Sequence, residues 1–156
     1  MAESILRRLC YDKATQRGVV KLIAQHTYML HPEAENVRRA LAFFGEDSLR
    51  RLLKVKVADL KAQRVSVSEH NLIFEEIGQV LEQVLAQGDC CSLRQLAVNG
   101  EDMKKLGYQG QQVGWVLGRL LDQVLAQPAL DTRDQLLVLA QDILWKEKEQ
   151  LYDNQD

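Results

Sequence analysis

Leu96-Ala-Val-Asn-Gly-Glu-Asp-Met-Lys-Lys-Leu-Gly-Tyr-Gln-Gly-Gln-Gln-Val-Gly114 contains two helix starts and one helix stop in a single short run. Asn99 is suited to cap a helix from Gly100 to Leu106, because its side-chain oxygen can accept from backbone N–H groups that have no partner within a first turn. Gly107 can adopt the left-handed conformation that closes such a helix. A longer helix is predicted from Gln111 to Gln127, with Val113, Val116, Leu117, Leu120, Leu121, Val124 and Leu125 on one face and Pro128 ending it. The N–H groups near Gly110 to Gln112, beside Lys104 and Lys105, suit a phosphate or carboxylate. Gly114 and Gly118 each cost a helix about 1 kcal/mol relative to Ala, which predicts a close helix–helix approach in compensation.

On the C-terminal side, Thr132-Arg-Asp-Gln135 has capping-box form and is predicted to open a last helix to about Leu151, with Asp153 to Asp156 fraying. On the N-terminal side, Ser92-Leu-Arg-Gln95 has the same form and predicts a short helix to about Val98. Ser68 is the expected cap of a helix reaching Gly88 through Ile73, Ile77, Val80, Leu81, Val84 and Leu85. Glu46 to about Arg64 is predicted helical, with Leu49, Leu52, Leu53, Val57 and Leu60 inward and Arg50, Arg51, Lys54 and Lys61 outward. Pro32 is placed to start a helix that Gly45 stops, and Asp12 to His26 shows a one-sided stripe of Ala14, Val19, Val20, Leu22 and Ile23. The expected fold is therefore all-α, a bundle of about eight helices in two subdomains, residues 1–66 and 67–156. Leu81-Glu-Gln-Val-Leu-Ala-Gln87 echoes Leu121-Asp-Gln-Val-Leu-Ala-Gln127, each ahead of a turn and a capping box, which suggests a pair of similar helix-turn-helix units.

Composition narrows function mainly by exclusion. No apolar run escapes charge for about 18 residues, so no membrane segment is expected, and Met1-Ala2-Glu3-Ser4-Ile5 lacks signal-peptide form. A cytoplasmic location and reduced, structural thiols at Cys10, Cys90 and Cys91 follow as expectations. The spacing of His26, His31 and His70 offers no i, i+4 metal pair, and no Cys or Asp cluster completes a ligand set, so no metal residue is assigned. No phosphate-binding loop, nucleophile elbow or strand-borne aspartate pair is present, and no catalytic residue is assigned either. Residues 1–64 hold 13 Lys/Arg against 7 Asp/Glu while residues 65–156 hold 7 against 15, which makes the front half the candidate face for a polyanion.

The run from Leu96 to Leu125, followed by Asp131-Thr-Arg-Asp-Gln-Leu136, resembles the C-terminal region of bacterial CCA-adding tRNA nucleotidyltransferases and their poly(A) polymerase relatives. The residues shared with that pattern include Asn99, Gly100, Asp102, Leu106, Gly107, Gly110, Val113, Gly114 and Thr132, while Met103 and Gln111 depart from it. Tyr11-Asp-Lys-Ala-Thr15, Leu22-Ile-Ala-Gln-His26, Arg38-Arg-Ala-Leu41, Phe44-Gly-Glu46 and Val57-Ala-Asp-Leu-Lys-Ala-Gln63 resemble the same family's HD-like body, in the expected order. Asp59 matches its last HD aspartate, but Thr27 stands where an acidic residue commonly follows the histidine. The resemblance implies a helical module that holds tRNA or other RNA, with Arg38, Arg39, Arg50, Arg51, Lys54 and Lys61 as phosphate contacts and Lys104 and Lys105 as a second contact. It implies that magnesium and nucleotidyl transfer belong to a separate catalytic head, a possible partner, so that this chain is no enzyme by itself and carries no cofactor. The alternative is a non-enzymatic helical interaction or dimerisation domain, and a third option, an HD-type hydrolase, would require a bound metal.

Overall fold

The computed structural model describes residues 2–62 and 67–153, with side chains described for 2–62 and 72–146. Among the described residues eight α-helices follow one another: α1 (Ala2–Arg8), α2 (Lys13–Gln25), α3 (Ala34–Phe44), α4 (Glu46–Ala62), α5 (Val67–Gln87), α6 (Gly100–Lys105), α7 (Gln111–Ala126) and α8 (Arg133–Asp153). A 3-10 turn, Pro128–Leu130, links α7 to α8, and no strand occurs among the described residues. The all-α expectation holds. No described helix is long and apolar enough to cross a membrane.

Two compact units divide at residues 84 and 85, inside α5, whereas the sequence placed the boundary at 66 and 67. The physical reason lies on α5 itself. Ile77, Leu81 and Val84 continue one buried stripe past the expected boundary, and Glu82 pairs with Arg50 of α4, tying this part of the helix to the first unit. The helix already includes Val67, so Ser68 sits in its first turn instead of capping it. The fraying expected at Asp153 to Asp156 falls outside the described residues for 154–156, and Asp153 belongs to α8.

In the first unit, α1 packs on α2, α2 on α4 and α3 on α4. α3 buries Val37, Ala40, Leu41 and Phe44, the spacing of a single helical face, against a core that includes Leu49 and Leu52 of α4. Gly45 alone makes the corner between these helices, at φ 75°, with its N–H donating to the Leu41 carbonyl at 2.9 Å. α3 starts at Ala34, two residues after Pro32, with Glu33 in the cap position. Asp12 caps α2, its Oδ1 accepting from the N–H of Ala14 at 2.9 Å and of Thr15 at 3.0 Å. The predicted stripe of α2 is not a core face, because α2 has no buried residue and its apolar side chains line two open cavities instead. α1, which no periodicity announced, also buries none of its residues.

The second unit packs α6, α7 and α8 around Leu96, Val98, Met103, Tyr108, Val116, Leu120, Val124, Leu136 and Ala140. Tyr108 is fully buried, and its hydroxyl donates to the Ala140 carbonyl of α8 at 2.7 Å. Ser92 to Gln95 forms a single turn and not the predicted helix. The Gln95 side chain accepts from the Cys91 N–H at 3.1 Å and the Ser92 hydroxyl at 2.8 Å, but the Ala97 N–H turns away to Asp131 Oδ1 at 2.9 Å. Leu96 and Val98 enter the core from this irregular segment, so the two echoing heptapeptides do not head similar helix-turn-helix units. At the start of α8, Thr132 and Gln135 pair through their side chains at 3.0 Å.

Candidate polyanion-binding groove

Lys13, Arg17 and Lys21 fall at i, i+4 and i+8 on α2, a spacing that aligns them in one row. Arg7 faces them from α1, and the two helices enclose a groove of about 690 Å³ whose other walls include Gln16, Val20 and Ala24. Glu3 is the one acidic residue lining it, and it is engaged by Arg7 Nη2 at 3.1 Å. Lys13, Arg17 and Lys21 are exposed and have no carboxylate partner among the described residues. Like charges one helical turn apart cost an isolated helix roughly 0.2–0.5 kcal/mol per pair. A phosphate chain lying in the groove would reverse that sign. The positive row continues toward α4, because Lys21 shares a crevice of about 40 Å³ with Ser48 and Arg51. In that crevice Gln25 presents a buried Oε1 with no hydrogen-bond partner among the described residues, facing a space roomy enough for a water.

The residues singled out from the sequence are not gathered into one surface. Arg38 is 7 % exposed, within the α3 stripe that supplies the core, so it is withdrawn from the protein surface where a phosphate would sit. Arg39 is half-buried and pairs with Glu35 at 2.9 Å. Arg50 is held by Glu46 at 2.9 Å and by both carboxylate oxygens of Glu82, whose carboxyl it keeps below the usual range. Lys104 pairs with Glu101 at 2.7 Å. Arg51, Lys54, Lys61 and Lys105 are exposed. Only Arg51 adjoins the α2 row. Neighbours such as Arg38 and Arg39, or Arg50 and Arg51, point about 100° apart on a helix, whereas the four-residue repeat Lys13, Arg17, Lys21 is the sequence signal of a single row.

The Asn-Gly-Glu-Asp motif forms a joint. Asn99 Oδ1 accepts from the N–H groups of Glu101 at 2.9 Å and Asp102 at 3.3 Å, while Asp102 Oδ2 accepts from the Asn99 N–H at 3.1 Å, a complete capping box. Asp102, 4 % exposed, also receives two hydrogen bonds from Arg133 at the start of α8, one at 3.0 Å through Nη1 and one through Nη2. The Arg133 guanidinium, and after it the Asn99 N–H, hold the Asp102 carboxyl below its ordinary range. Gly107, at φ 103°, lets the Tyr108 N–H reach the Met103 carbonyl and its own N–H the Lys104 carbonyl, the paired bonds of a Schellman closure. Gly110, at φ 53°, takes the cap position of α7. At the expected anion site the Gln112 N–H donates to the Gln109 carbonyl at 3.0 Å, and the Gln112 side chain folds back so that its Oε1 accepts from the Gln109 N–H at 3.2 Å. A Cβ placed on Gly114 or Gly118 meets nothing within 4 Å, so the expected close helix approach is absent there.

A second cavity of about 540 Å³ lies among α2, α4 and α5, lined by apolar residues such as Val19, Leu22, Val55 and Phe74 and by His26, Lys56 and Asp59. Lys56 donates to the His26 carbonyl at 2.7 Å, and burial lowers its ammonium pKa against the opposing charge of Asp59. No group of three or more His, Cys, Asp or Glu side chains able to hold a metal ion occurs among the described residues. The thiols are unbridged, and burial pushes that of Cys90 up. No family model, curated protein or solved structure matches this chain, so the resemblance to tRNA nucleotidyltransferases rests on the motif residues alone.

Proposed function

We propose that this chain is an RNA-binding helical module, cytoplasmic and without catalysis of its own, which grips the phosphate backbone along the α1–α2 groove. The observation that carries this reading is the row Lys13, Arg17 and Lys21, exposed and without carboxylate partners among the described residues, facing Arg7 across a groove. The family resemblance supports a tRNA-like ligand and a separate catalytic head. The test is the salt dependence of tRNA binding by the full chain, since each phosphate neutralised contributes about 0.7–0.9 to the slope of log affinity against log salt. Replacing Lys13, Arg17 and Lys21 together by Gln is expected to flatten that slope by about 2–3, whereas Lys104→Gln changes it little. Binding that is no tighter at about 50 mM than at about 300 mM salt, or no binding at all, overturns the proposal.

A second reading has one observation in its favour. Val138 and Trp145, 56 % and 68 % exposed, lie seven residues apart on α8, the spacing of a shared helix face. A stable dimer in light scattering that is dispersed by Trp145→Ala and indifferent to RNA would favour a self-associating interaction domain.

A further inference from the structure

The apolar walls of the cavity among α2, α4 and α5 are Val19, Leu22 and Ile23 of the first helix, Val55 and Leu60 of the second and Phe74 of the third. At about 100° per residue these α2 positions lie on the opposite side of the helix from Lys13, Arg17 and Lys21, so cavity and groove are separate places. Among the described residues the cavity's charged lining is one ammonium and one carboxylate, Lys56 and Asp59, with His26 beside them. Lys56 and Asp59 are three residues apart on α4, a spacing at which opposite charges can close on each other. Here they do not. Lys56 reaches across to the His26 carbonyl at 2.7 Å, and no carboxylate stands within ion-pair distance of it among the described residues. The His26 ring is engaged locally, its Nδ1 2.5 Å from the Ile23 carbonyl. Burial lowers the Lys56 ammonium pKa and the Asp59 charge raises it, the mark of a cation that its surroundings compensate only in part.

We propose that this cavity binds a free apolar α-amino acid, with Lys56 taking its carboxylate, Asp59 its ammonium and the apolar walls its side chain. A volume of about 540 Å³ is that of a small-molecule site, in which apolar walls hold the body of a ligand and a few polar groups orient it. The split charge pair chooses among occupants. A fatty carboxylate would satisfy Lys56 but meet the like charge of Asp59, and an apolar amine would do the reverse. A neutral hydrocarbon would strip water from both charges and return nothing. A zwitterion brings the two opposite charges together, a few bonds apart, against groups separated by a rise of about 4.5 Å along α4. Asp59 is exposed and Lys56 half-buried, so the charged end of the ligand faces the open side while its side chain lies among Leu22, Val55 and Phe74. Each carboxylate oxygen accepts more than one hydrogen bond, so the ligand's ammonium adds to whatever Asp59 already holds.

The test is calorimetric titration of the full chain with three probes that share one apolar body: L-phenylalanine, phenylpropionate, which lacks the ammonium, and phenethylamine, which lacks the carboxylate. L-Phenylalanine is expected to bind about ten-fold tighter than either of the others. Lys56→Met keeps the apolar stem and is expected to weaken L-phenylalanine and phenylpropionate about ten-fold while leaving phenethylamine unchanged. Asp59→Asn is expected to weaken L-phenylalanine and phenethylamine and to leave phenylpropionate no weaker. These opposite patterns separate recognition of charge from a folding defect, which would lower all three probes together. Equal binding of the three by the parent protein, an equal loss of all three in both variants, or no binding of L-phenylalanine at about 10 mM overturns the assignment. Binding of tRNA in the groove on the other side of α2 is a separate measurement, and its outcome does not alter this one.

Discussion

Asp102 carries the clearest pH dependence in the second unit. Its carboxyl is held below the usual range by Arg133 and then by the Asn99 N–H, so its contribution is fully present above the unfolded value of about 3.9. It is lost as pH falls through the lower folded value. Asp102→Asn is therefore expected to lower the melting temperature at neutral pH and to remove part of the stability loss on acidification, both read by circular dichroism melts across pH. Tyr108→Phe deletes the 2.7 Å bond to Ala140 in a fully buried place, and about 1 kcal/mol of stability is expected to go with it in denaturant titration. What was legible at this scale was local. Asn99 was legible as the cap of α6, and Asp102 three residues on completes the box in the structure, whereas Arg133 joins them from 31 residues away, and no spacing rule reaches that far.

The helices themselves were largely legible, because caps and stops act within one turn: Asp12, Gly45, Asn99, Gly107 and Pro128 bound elements close to where they were expected. Ser92-Leu-Arg-Gln95 misled because a capping box only starts a helix; the residues after it chose Asp131 and the core instead. α1 escaped notice because a short, exposed helix needs no apolar stripe. The groove residues were missed for a related reason: a row of charges becomes a surface only once α1 is known to face α2. Gly114 and Gly118 offer a direct check on α7. With nothing near an added Cβ, Gly114→Ala and Gly118→Ala are each expected to stabilise by about 0.5–1 kcal/mol in urea titration. Gly107→Ala forces a side chain onto a φ of 103° and is expected to destabilise by at least 1–2 kcal/mol on the same measurement.

Across the whole molecule the charge contrast between units is gentler than the two halves of the sequence suggest. Residues 1–84 carry 13 Lys/Arg against 11 Asp/Glu, and residues 85–156 carry 7 against 11, because α5 brings Glu69, Glu75, Glu76 and Glu82 into the first unit. The proposed RNA contact therefore depends on where cations are clustered and not on a net excess. Stability is unevenly distributed as well. α7 and α8 supply Val116, Leu120, Val124, Leu136 and Ala140 to a core, whereas α1 and α2 bury nothing. Helices without buried residues open by small, local fluctuations, so amide hydrogen exchange is expected to be fastest in α1 and α2 and slowest in α7. A strand that settles between α1 and α2 must quiet those fluctuations before it is held. Part of its contact energy then goes into ordering α1, so the measured affinity understates the strength of the individual contacts, and a cross-link pinning α1 to α2 in the closed geometry should tighten binding without adding a single new contact.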